Sequence, residues 1–334
     1  MTRAVVARAP TRLDFGGGWT DVPPFSEREG GAVCNIAITR YATATAALDE
    51  HAARGLADHA RRPLGAPDPL VDAALRRAGM PGAVASVISD YPAGAGLGGS
   101  SACGVALAGA LASLRQEALS LDALASRSRE TEVEELHVVG GFQDHYAAAF
   151  GGALLLTFSD CVGVESLMLP SGCADDLARR GVLLYTGESR QSGKIVGAVR
   201  DAYERGDAQT CASLARMKTL AGEMAAALRH GDLDALGRLV GEHWVHQRAL
   251  HASITTPRID AIVDAAARAG ALGVKALGAS GGGCVIAIAE DGREEELAHA
   301  LAPLGERLSY SVDSRGFQIV AMLDEHHDSD EQFA

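Results

Sequence analysis

The sequence lacks several features that define common classes of protein. Its 334 residues contain no strong run of basic side chains and carry a formal net charge of −13, which argues against nucleic acid or an anionic membrane as a partner. The six cysteines include no CxxC pair, so we interpret them as reduced thiols in a reducing compartment. The first residues have no long apolar core such as a signal peptide requires. Together these absences favour a soluble, cytoplasmic enzyme.

Composition and length indicate how the chain is organised. Apolar residues make up 47% of the sequence and charged residues 22%, as expected for a packed globular protein. A chain of this length has room for one large or two medium domains, and no internal repeat is evident at a fixed period. We place the weakest boundary near Asp175, which predicts an N-terminal domain at 1–175 and a C-terminal domain at 176–334.

Strand and helix patterns are mixed along the chain. Apolar and alternating runs predict strands at 4–9, 32–48, 84–88, 153–158, 182–185, 284–289 and 317–323. Helical patterns occupy 121–138, 194–251 and 259–269, and Gly206 and Gly231 are expected to break the second of these. Strands and helices do not alternate regularly, which predicts an α+β fold. The acidic tail, 324–334, is expected to fray.

The most informative segment is a glycine-rich loop that leads into an apolar helix. A loop of this kind directs several backbone N–H groups to one point, where the helix dipole adds partial positive charge. It therefore suits a polyphosphate, and its serine hydroxyls can reach a metal ion bound there. The residues predicted to bind are Pro92, Gly94, Gly96, Leu97, Gly98, Gly99, Ser100, Ser101 and Ala102.

Other interpretations of the glycine-rich segments are weaker. The GxGxxG at 94–99 does not follow its strand directly and comes late for a dinucleotide fingerprint, and a tight turn before a packed Ala/Gly helix needs no ligand. A membrane span is disfavoured because Pro92 and the glycines interrupt the apolar run. The segment 187–195 resembles a Walker A loop but has one residue too many between its glycines and Ile195 in place of Ser or Thr. Arg190 and Lys194 remain possible anion contacts.

Three further segments share the glycine-rich character, and with the loop they resemble the GHMP small-molecule kinases, the superfamily of galactokinase, homoserine kinase and mevalonate kinase. They are the N-terminal motif at 12–21, the segment 140–152 around Asp144, and the motif at 278–283. On its own, an aspartate such as Asp144 is more often a helix N-cap. All the motifs stand in the family's order, so the resemblance covers nearly the whole chain. It implies a two-domain GHMP kinase fold, with a ribosomal protein S5 domain 2-like N-terminal domain and a ferredoxin-like C-terminal domain.

The resemblance also implies roles for individual residues. Asp144 matches the catalytic aspartate that accepts the proton of the sugar hydroxyl, and Arg12 matches the arginine that pairs with it. Phosphoryl transfer needs positioning and neutralised charge more than covalent help, which suits this pair. Asp21 matches a carboxylate that binds sugar hydroxyls, and Glu132 matches the metal-binding glutamate, with Ser100 and Ser101 as further Mg²⁺ ligands. The substrate-binding set also contains Gly18, Trp19, Thr20, His145, Arg190 and Lys194, and the ATP-binding set contains Gly281 and Gly282.

The chain departs from the family pattern at a few positions. Gly99 replaces the usual first serine after Gly-Leu-Gly, Ser280 interrupts the glycines of the third motif, and His145 stands where many relatives have Gln or Asn. If position 99 carries the family's metal ligand, Ser100 or Ser101 must take its place.

The expected function is an ATP- and Mg²⁺-dependent sugar kinase that phosphorylates the anomeric hydroxyl, on C1. Within the family the motifs look most like those of D-glycero-D-manno-heptose 7-phosphate kinases, with L-fucokinases as the alternative; the Trp19 position is more like the latter. A non-catalytic sensor of sugar and ATP and another chemistry of the family, such as an isoprenoid or amino-acid kinase, stay open. The chain is expected to bind only small molecules, and a homodimer is possible.

Overall fold

Two antiparallel sheets form the framework of the protein. The structure is a computed structural model that describes residues 2–49, 52, 67–138, 140–188 and 193–324. In these residues the first sheet has the order β10-β1-β2-β4-β5 with β3 beside β2, and the second has the order β7-β8-β6-β9. The strands are β1 (Thr2–Gly16), β2 (Gly31–Ala47), β3 (Val84–Ser89), β4 (Ala153–Phe158), β5 (Val162–Leu167), β6 (Gly181–Tyr185), β7 (Ala271–Ala276), β8 (Cys284–Ala289), β9 (Glu306–Arg307) and β10 (Gln318–Asp324).

Helices pack on both sheets and connect them. The described helices are α1 (Phe25–Arg28), α2 (Pro69–Arg77), α3 (Gly99–Leu114), α4 (Leu121–Glu130), α5 (Gln143–Phe150), α6 (Cys173–Arg180), α7 (Gly193–Glu204), α8 (Ala208–His230), α9 (Leu233–Ala249), α10 (Pro257–Arg268) and α11 (Glu294–Leu301). A π-helical turn, Thr131–Glu135, follows α4 directly. None of the described helices is both long enough and apolar enough to cross a membrane.

Strand β1 carries the N-terminal motif into the centre of the molecule. It pairs with β2 along most of its length, so that Arg12 lies opposite Ala37 and Asp14 lies opposite Asn35. On its other side, β1 pairs with β10 only as far as Arg8. Beyond that point the amide of Arg12 donates instead to the carbonyl of Leu97 at 3.0 Å. The glycine-rich loop therefore lies directly beside the strand that carries Arg12 and Asp14.

Helix α3 lies in the core of the first layer. Most of its residues are buried, and it packs across β1 and β2. Its many alanines and glycines allow this close approach, because small side chains let a helix lie near a sheet of alanine-rich strands. Because most of α3 is buried, its N-terminus is fixed at the end of the glycine-rich loop.

The long helices α8 and α9 connect the two layers. Asp207 caps α8 by accepting a hydrogen bond from the amide of Thr210 at 2.8 Å, and the helix ends at Gly231, which has a left-handed backbone. Asp232 caps α9 in the same way. Helix α8 packs on β1 and β2 of the first sheet, and α9 packs on α8 and on β7 of the second. The two layers are thus joined through buried apolar contacts.

The strand predictions are confirmed, and the α+β class with them, while one helix prediction is wrong in its second half. The predicted helix at 121–138 ends at Glu130 and continues as the π-helical turn, where Glu132 is buried. Gly206 and Gly231 do separate the predicted helical region into three helices. Residues 318–324 were assigned to the second domain, but they pair with the open edge of β1 in the first sheet. The boundary near Asp175 stays a prediction, and almost all of the predicted tail lies outside the described residues.

Candidate active site

A cleft of about 520 Å³ opens where loops from both sheets meet the N-terminal end of α5. Its walls are formed by the segments around Asp14, Gly96 and Gly278, together with Asp144. Sites for small molecules commonly have volumes of roughly 300–1,000 Å³. Segments far apart in sequence therefore converge on one site large enough for a small ligand.

The glycine-rich loop supplies free amide donors to this cleft. Gly98 has a left-handed backbone, with φ 73°, and serves as the N-cap of α3 without any side-chain cap. The first amide groups of a helix have no partner inside it, and α3 has no acidic residue in its first turn. The N–H groups of Gly99, Ser100 and Ser101 are thus placed to bind an anion. Pro92, Gly94, Gly96 and Leu97 also line the cleft, as predicted.

Two residues of the predicted ATP-binding set do not fit that role. The amide of Ala102 donates to the carbonyl of Gly98 at 3.0 Å, and its side chain is buried in the core. The amide of Gly281 donates to the carbonyl of Ile254 at 2.8 Å, and Gly281 does not line the cleft. Both donors are used inside the protein, so neither is free for a phosphate. Gly282, in contrast, lines the cleft.

The glycine-rich loop at 92–102 packs against the segment that contains the glycine-rich motif at 278–283. The amide of Cys284, at the start of β8, donates to the carbonyl of Ala95 at 2.8 Å. Ser280, which interrupts the glycines, has a left-handed backbone with φ 68°. The buried amide of Gln247 donates to the Ser280 hydroxyl at 2.9 Å and to the carbonyl of Gly278 at 3.1 Å. Gln247 therefore stabilises the unusual conformation that serine adopts in this loop.

Arg12 and Asp144 form an ion pair in the cleft. The Nε atom of Arg12 lies 2.8 Å from Oδ1 of Asp144, and its Nη1 donates to the carbonyl of Gly96 at 2.7 Å. The Arg12 side chain is 3% exposed, whereas that of Asp144 is 28% exposed. The arginine is thus fixed between strand and loop, and the aspartate keeps an accessible edge for a ligand.

Asp21 anchors the helix that carries Asp144. Its Oδ2 atom accepts hydrogen bonds from the amides of Phe142 and Gln143, at 2.8 and 3.1 Å. Asp144 was considered as a helix N-cap, but it lies within the first turn of α5, and Asp21 from another segment satisfies the helix N-terminus. Burial, helped by the nearby carboxylates of Asp144 and Asp14, raises the pKa of the Asp21 carboxyl to about 6, although the two amide hydrogen bonds act to lower it. Asp21 also lines the cleft, so its predicted sugar contact stays a prediction.

The rest of the N-terminal motif is partly structural. Gly18 and Trp19 line the cleft, as predicted for substrate-binding residues. Thr20 is fully buried and does not line the cleft; its hydroxyl donates to the carbonyl of Gly17 at 2.7 Å and accepts from the amide of Ala32. This corrects the expectation of a substrate contact, because the Thr20 side chain instead ties the turn to the start of β2.

The side chains of Glu132, Ser100 and Ser101 contact one another at the N-terminal end of α3. The Ser100 hydroxyl donates to one carboxylate oxygen of Glu132, and the Ser101 hydroxyl lies 3.4 Å from the other. His145 was predicted to bind the substrate, but its Nε2 lies 3.0 Å from Glu132 and its Nδ1 lies 2.9 Å from the hydroxyl of Ser128. Both ring nitrogens thus face protein groups, and His145 belongs to the Glu132 cluster.

This cluster has the chemistry of a magnesium site. Burial works to raise the pKa of the Glu132 carboxyl, but hydrogen bonds from His145, Ser100 and Ser101 outweigh it and hold the pKa below its usual value. An ionised carboxylate and two hydroxyl oxygens are hard ligands of the type that Mg²⁺ prefers, and Mg²⁺ is usually bound by one or two carboxylates plus substrate phosphates. The residues present therefore fit the metal ion that the sequence predicts.

The structure explains why glycine stands at position 99. A Cβ atom there would lie 2.4 Å from Cε2 of Tyr91, whose hydroxyl donates to the carbonyl of Gly99 at 2.8 Å. The Tyr91 ring occupies the space that a serine side chain would need. Tyr91 also lines the cleft, so it forms part of the wall beside Gly99.

The two cations predicted to bind a sugar phosphate are not in the described wall of the cleft. Arg190 lies outside the described residues. Lys194 is exposed at the start of α7 and does not line the cleft. Their role in substrate binding stays a prediction.

Sequence reasoning missed Asp14, Tyr91 and Gln143, all of which line the cleft. Asp14 is a charged residue between the apolar Leu13 and Phe15, and this was the available signal. Tyr91 and Gln143 stand next to predicted site residues but carry no pattern of their own.

Free amides beside an aspartate–arginine pair suit an enzyme that transfers a phosphoryl group to a small molecule. Residues 68–152 match the description "GHMP kinases N terminal domain", and residues 224–305 match "GHMP kinases C terminal". The chain belongs to the GHMP kinase family, and the predicted family and kinase fold are confirmed.

Individual relatives agree with this assignment. The chain is 27% identical over 368 residues to L-fucokinase/L-fucose-1-P guanylyltransferase of Bacteroides fragilis, covering 94% of this chain and 38% of that protein. It is 30% identical over 215 residues to D-glycero-alpha-D-manno-heptose 7-phosphate kinase of Campylobacter jejuni, covering 64% of this chain and 63% of that protein. The crystal structure of a D-glycero-D-manno-heptose 1-phosphate kinase from Bacteroides thetaiotaomicron has a TM-score of 0.72 at 24% identity, covering 96% of this chain and all of that one. The chain thus spans less than two thirds of both of these curated relatives.

Proposed function

We propose that the protein is an ATP-dependent sugar kinase that phosphorylates the anomeric hydroxyl, on C1, of its acceptor. The Arg12–Asp144 ion pair carries this proposal, because it places a partly accessible carboxylate beside the amide donors of the glycine-rich loop. The name of the Bacteroides fragilis relative, which pairs fucokinase with an L-fucose-1-P activity, supports the choice of C1.

Asp144 acts as the base in the proposed mechanism. Its carboxylate accepts the proton of the sugar hydroxyl as that oxygen attacks the terminal phosphate of ATP, and ADP leaves. Arg12 holds the carboxylate at 2.8 Å and is itself held by the carbonyl of Gly96. Because α5 is anchored by Asp21, the base has a defined position relative to the loop.

The phosphates are bound beside Asp144, at the glycine-rich loop, since Gly98 at the start of α3 lies directly against the Asp144 side chain. The N–H groups of Gly99, Ser100 and Ser101 donate to phosphate oxygens at the N-terminus of α3. Glu132 and the two serine hydroxyls would hold Mg²⁺, which supplies positive charge to the phosphates when bound.

The charges in the cleft favour an unphosphorylated acceptor. Among the described residues that line it, Asp14, Asp21, Glu132 and Asp144 are acidic and Arg12 is basic, so acidic side chains remain in excess after Arg12 and Asp144 offset each other. Carboxylates suit the hydroxyl groups of a polyol and repel a second phosphate. We therefore place an L-fucose-like sugar before a heptose 7-phosphate, which reverses the order expected from the sequence. The heptose substrate remains the second candidate, because of the 30% identical Campylobacter jejuni relative.

A substrate panel tests this function. ADP release should be measured with ATP, Mg²⁺ and, separately, L-fucose, D-galactose and D-glycero-D-manno-heptose 7-phosphate, followed by NMR of the product. We expect turnover of an unphosphorylated sugar with the new phosphate on C1. Faster turnover of the heptose phosphate would restore the heptose assignment. Binding of sugar and ATP without any ADP release would instead favour a non-catalytic sensor.

Removal of the Glu132 carboxylate should weaken the use of Mg²⁺. We expect Glu132→Gln, and separately Ser100→Ala with Ser101→Ala, to raise the Mg²⁺ concentration for half-maximal activity by about tenfold or more. Glu134→Gln is the matched control, since Glu134 lies on the same π-helical turn but pairs with Arg77 at 2.9 Å outside the cleft. An unchanged Mg²⁺ titration in the first two variants would show that these residues do not bind the metal.

A further inference from the structure

Asp14 is a buried carboxylate in the wall of the cleft, two residues beyond Arg12 on β1. Residues two apart on a strand project from the same face, so Asp14 stands roughly 6–7 Å along the strand from the arginine of the ion pair. Its Oδ2 atom lies 3.3 Å from Nζ of Lys275. Its Oδ1 atom is buried and has no hydrogen-bond partner among the described residues. One oxygen of this carboxylate is therefore still available.

Lys275 holds the charge of Asp14 from the other sheet. The Lys275 side chain is completely buried on β7, and it also donates to the carbonyl of Phe15 at 3.3 Å. Burial lowers the pKa of the Lys275 ammonium, while the adjacent Asp14 raises it. Buried charges persist when they are paired, so the lysine allows an ionised carboxylate to stay in this wall.

The surroundings of Asp14 leave a second acceptor free. Gln143 also lines the cleft, and its Oε1 atom is buried without a hydrogen-bond partner in the described chain. Gly18 lies between the two side chains: a Cβ atom at Gly18 would be 2.2 Å from Oδ2 of Asp14 and 3.1 Å from Nε2 of Gln143. A glycine here keeps this part of the wall open. Each of the two side chains keeps one unpaired acceptor oxygen, and such buried acceptors call for a ligand that carries hydroxyl donors.

We infer that Asp14 is a specificity-determining residue whose Oδ1 atom accepts a hydrogen bond from one hydroxyl group of the acceptor sugar. The inference rests on the proposed function and adds to it a recognition residue that takes no part in proton transfer. Lys275 acts through Asp14 as a positioning residue. A site built to bind a particular hydroxyl discriminates strongly against an analogue that lacks it, since the buried acceptor is then left unpaired.

A purely internal role for the free oxygen is the competing explanation. Asn35 lies opposite Asp14 on β2, is fully buried, and has no hydrogen-bond partner for either atom of its amide among the described residues. A bridge from Asp14 to Asn35, directly or through water, would satisfy both without a sugar. Asn35 does not line the cleft, so substitution there separates the two explanations.

The test combines variants with monodeoxy sugars. The measurement is kcat/KM on whichever of L-fucose, D-galactose and D-glycero-D-manno-heptose 7-phosphate is the best substrate. The enzymes compared are wild type, Asp14→Asn, Asp14→Asn with Lys275→Met, and Asn35→Leu. Each is then assayed on the monodeoxy analogues of that substrate. The double variant removes both charges, so that a folded enzyme is available if Asp14→Asn alone does not fold.

We expect the Asp14 variants to lose about tenfold in kcat/KM on the parent sugar, because the neutral amide oxygen still accepts a hydrogen bond but a weaker one than the charged carboxylate accepts. On one monodeoxy analogue, the one that lacks the hydroxyl bound by Asp14, the Asp14 variants should have the same kcat/KM as wild type. Asn35→Leu should change kcat/KM by the same factor on every analogue. An equal loss on every analogue in an active enzyme would overturn the inference alone. A wild-type enzyme that releases no ADP with any of the sugars would overturn the proposed function and the inference with it.

Discussion

Asp144→Asn is expected to lower kcat by about two to four orders of magnitude while nucleotide binding is nearly retained. The amide has almost the shape of the carboxylate but cannot accept the proton of the sugar hydroxyl, and general base catalysis commonly contributes a factor of about 10²–10⁴. The nucleotide affinity should persist because the proposed phosphate donors are backbone amides at the start of α3, which a substitution on α5 does not remove. The measurements are single-turnover kinetics and calorimetric titration with an ATP analogue.

A control for this variant is available on another helix. Asp122 also lies in the first turn of a helix, α4, but it is exposed and does not line the cleft. Asp122→Asn should leave kcat within about twofold of wild type, because surface substitutions rarely disturb a distant site. Because Asp144→Asn leaves the buried Arg12 without its carboxylate, the melting temperature should be recorded as well. Near-normal turnover of a folded Asp144→Asn enzyme would rule out this residue as the base.

Lys275→Met is expected to reduce the free energy of unfolding by about 3–5 kcal/mol. The substitution keeps an apolar side chain of similar length but leaves the Asp14 carboxylate buried beside it without a countercharge, and loss of one partner of a buried pair carries a penalty of this size. Equilibrium unfolding in urea measures the change. The double variant Lys275→Met with Asp14→Asn should recover a large part of the loss, since it removes both charges.

Lys194 provides the matched control for stability. Its side chain is exposed at the start of α7, so Lys194→Met should change the free energy of unfolding by no more than about 0.5 kcal/mol. If Lys275→Met were no more destabilising than Lys194→Met, the ion pair would not be important for stability. If the double variant were as unstable as Lys275→Met, the instability would come from lost packing around Lys275 and not from an unpaired charge.

Much of the framework was predictable from local patterns. The strand at 153–158 was predicted with the bounds that the structure has, because a run of Leu between turn residues leaves few alternatives. The break at Gly231 was predictable because glycine adopts the left-handed backbone conformation that ends a helix without the steric strain of a residue that has a Cβ atom. The helix at 121–138 was predicted too long, since side-chain periodicity does not distinguish an α-helix from the π-helical turn that follows it.

The candidate site was only partly predictable. Arg12, Asp144 and Glu132 were identified from motifs, and the structure brings all three to one cleft. The burial of Thr20 was not visible, because its hydrogen bonds connect a turn to Ala32, twelve residues later, near the start of β2. The replacement of serine by Gly99 likewise had no explanation until the Tyr91 ring was seen to fill the space.

By itself, the sequence determined the class of fold, the glycine-rich loop and the residues suited to acid–base work, because these depend on local propensity and on motifs within short segments. The tertiary structure alone decided which side chains meet. Asp14 and Lys275 are 261 residues apart and lie on different sheets, yet they form one ion pair in the wall of the cleft. Such a contact depends on how α8 and α9 pack the two layers together, and no local pattern records that packing. The acceptor that we propose for the sugar hydroxyl is therefore a product of the tertiary structure.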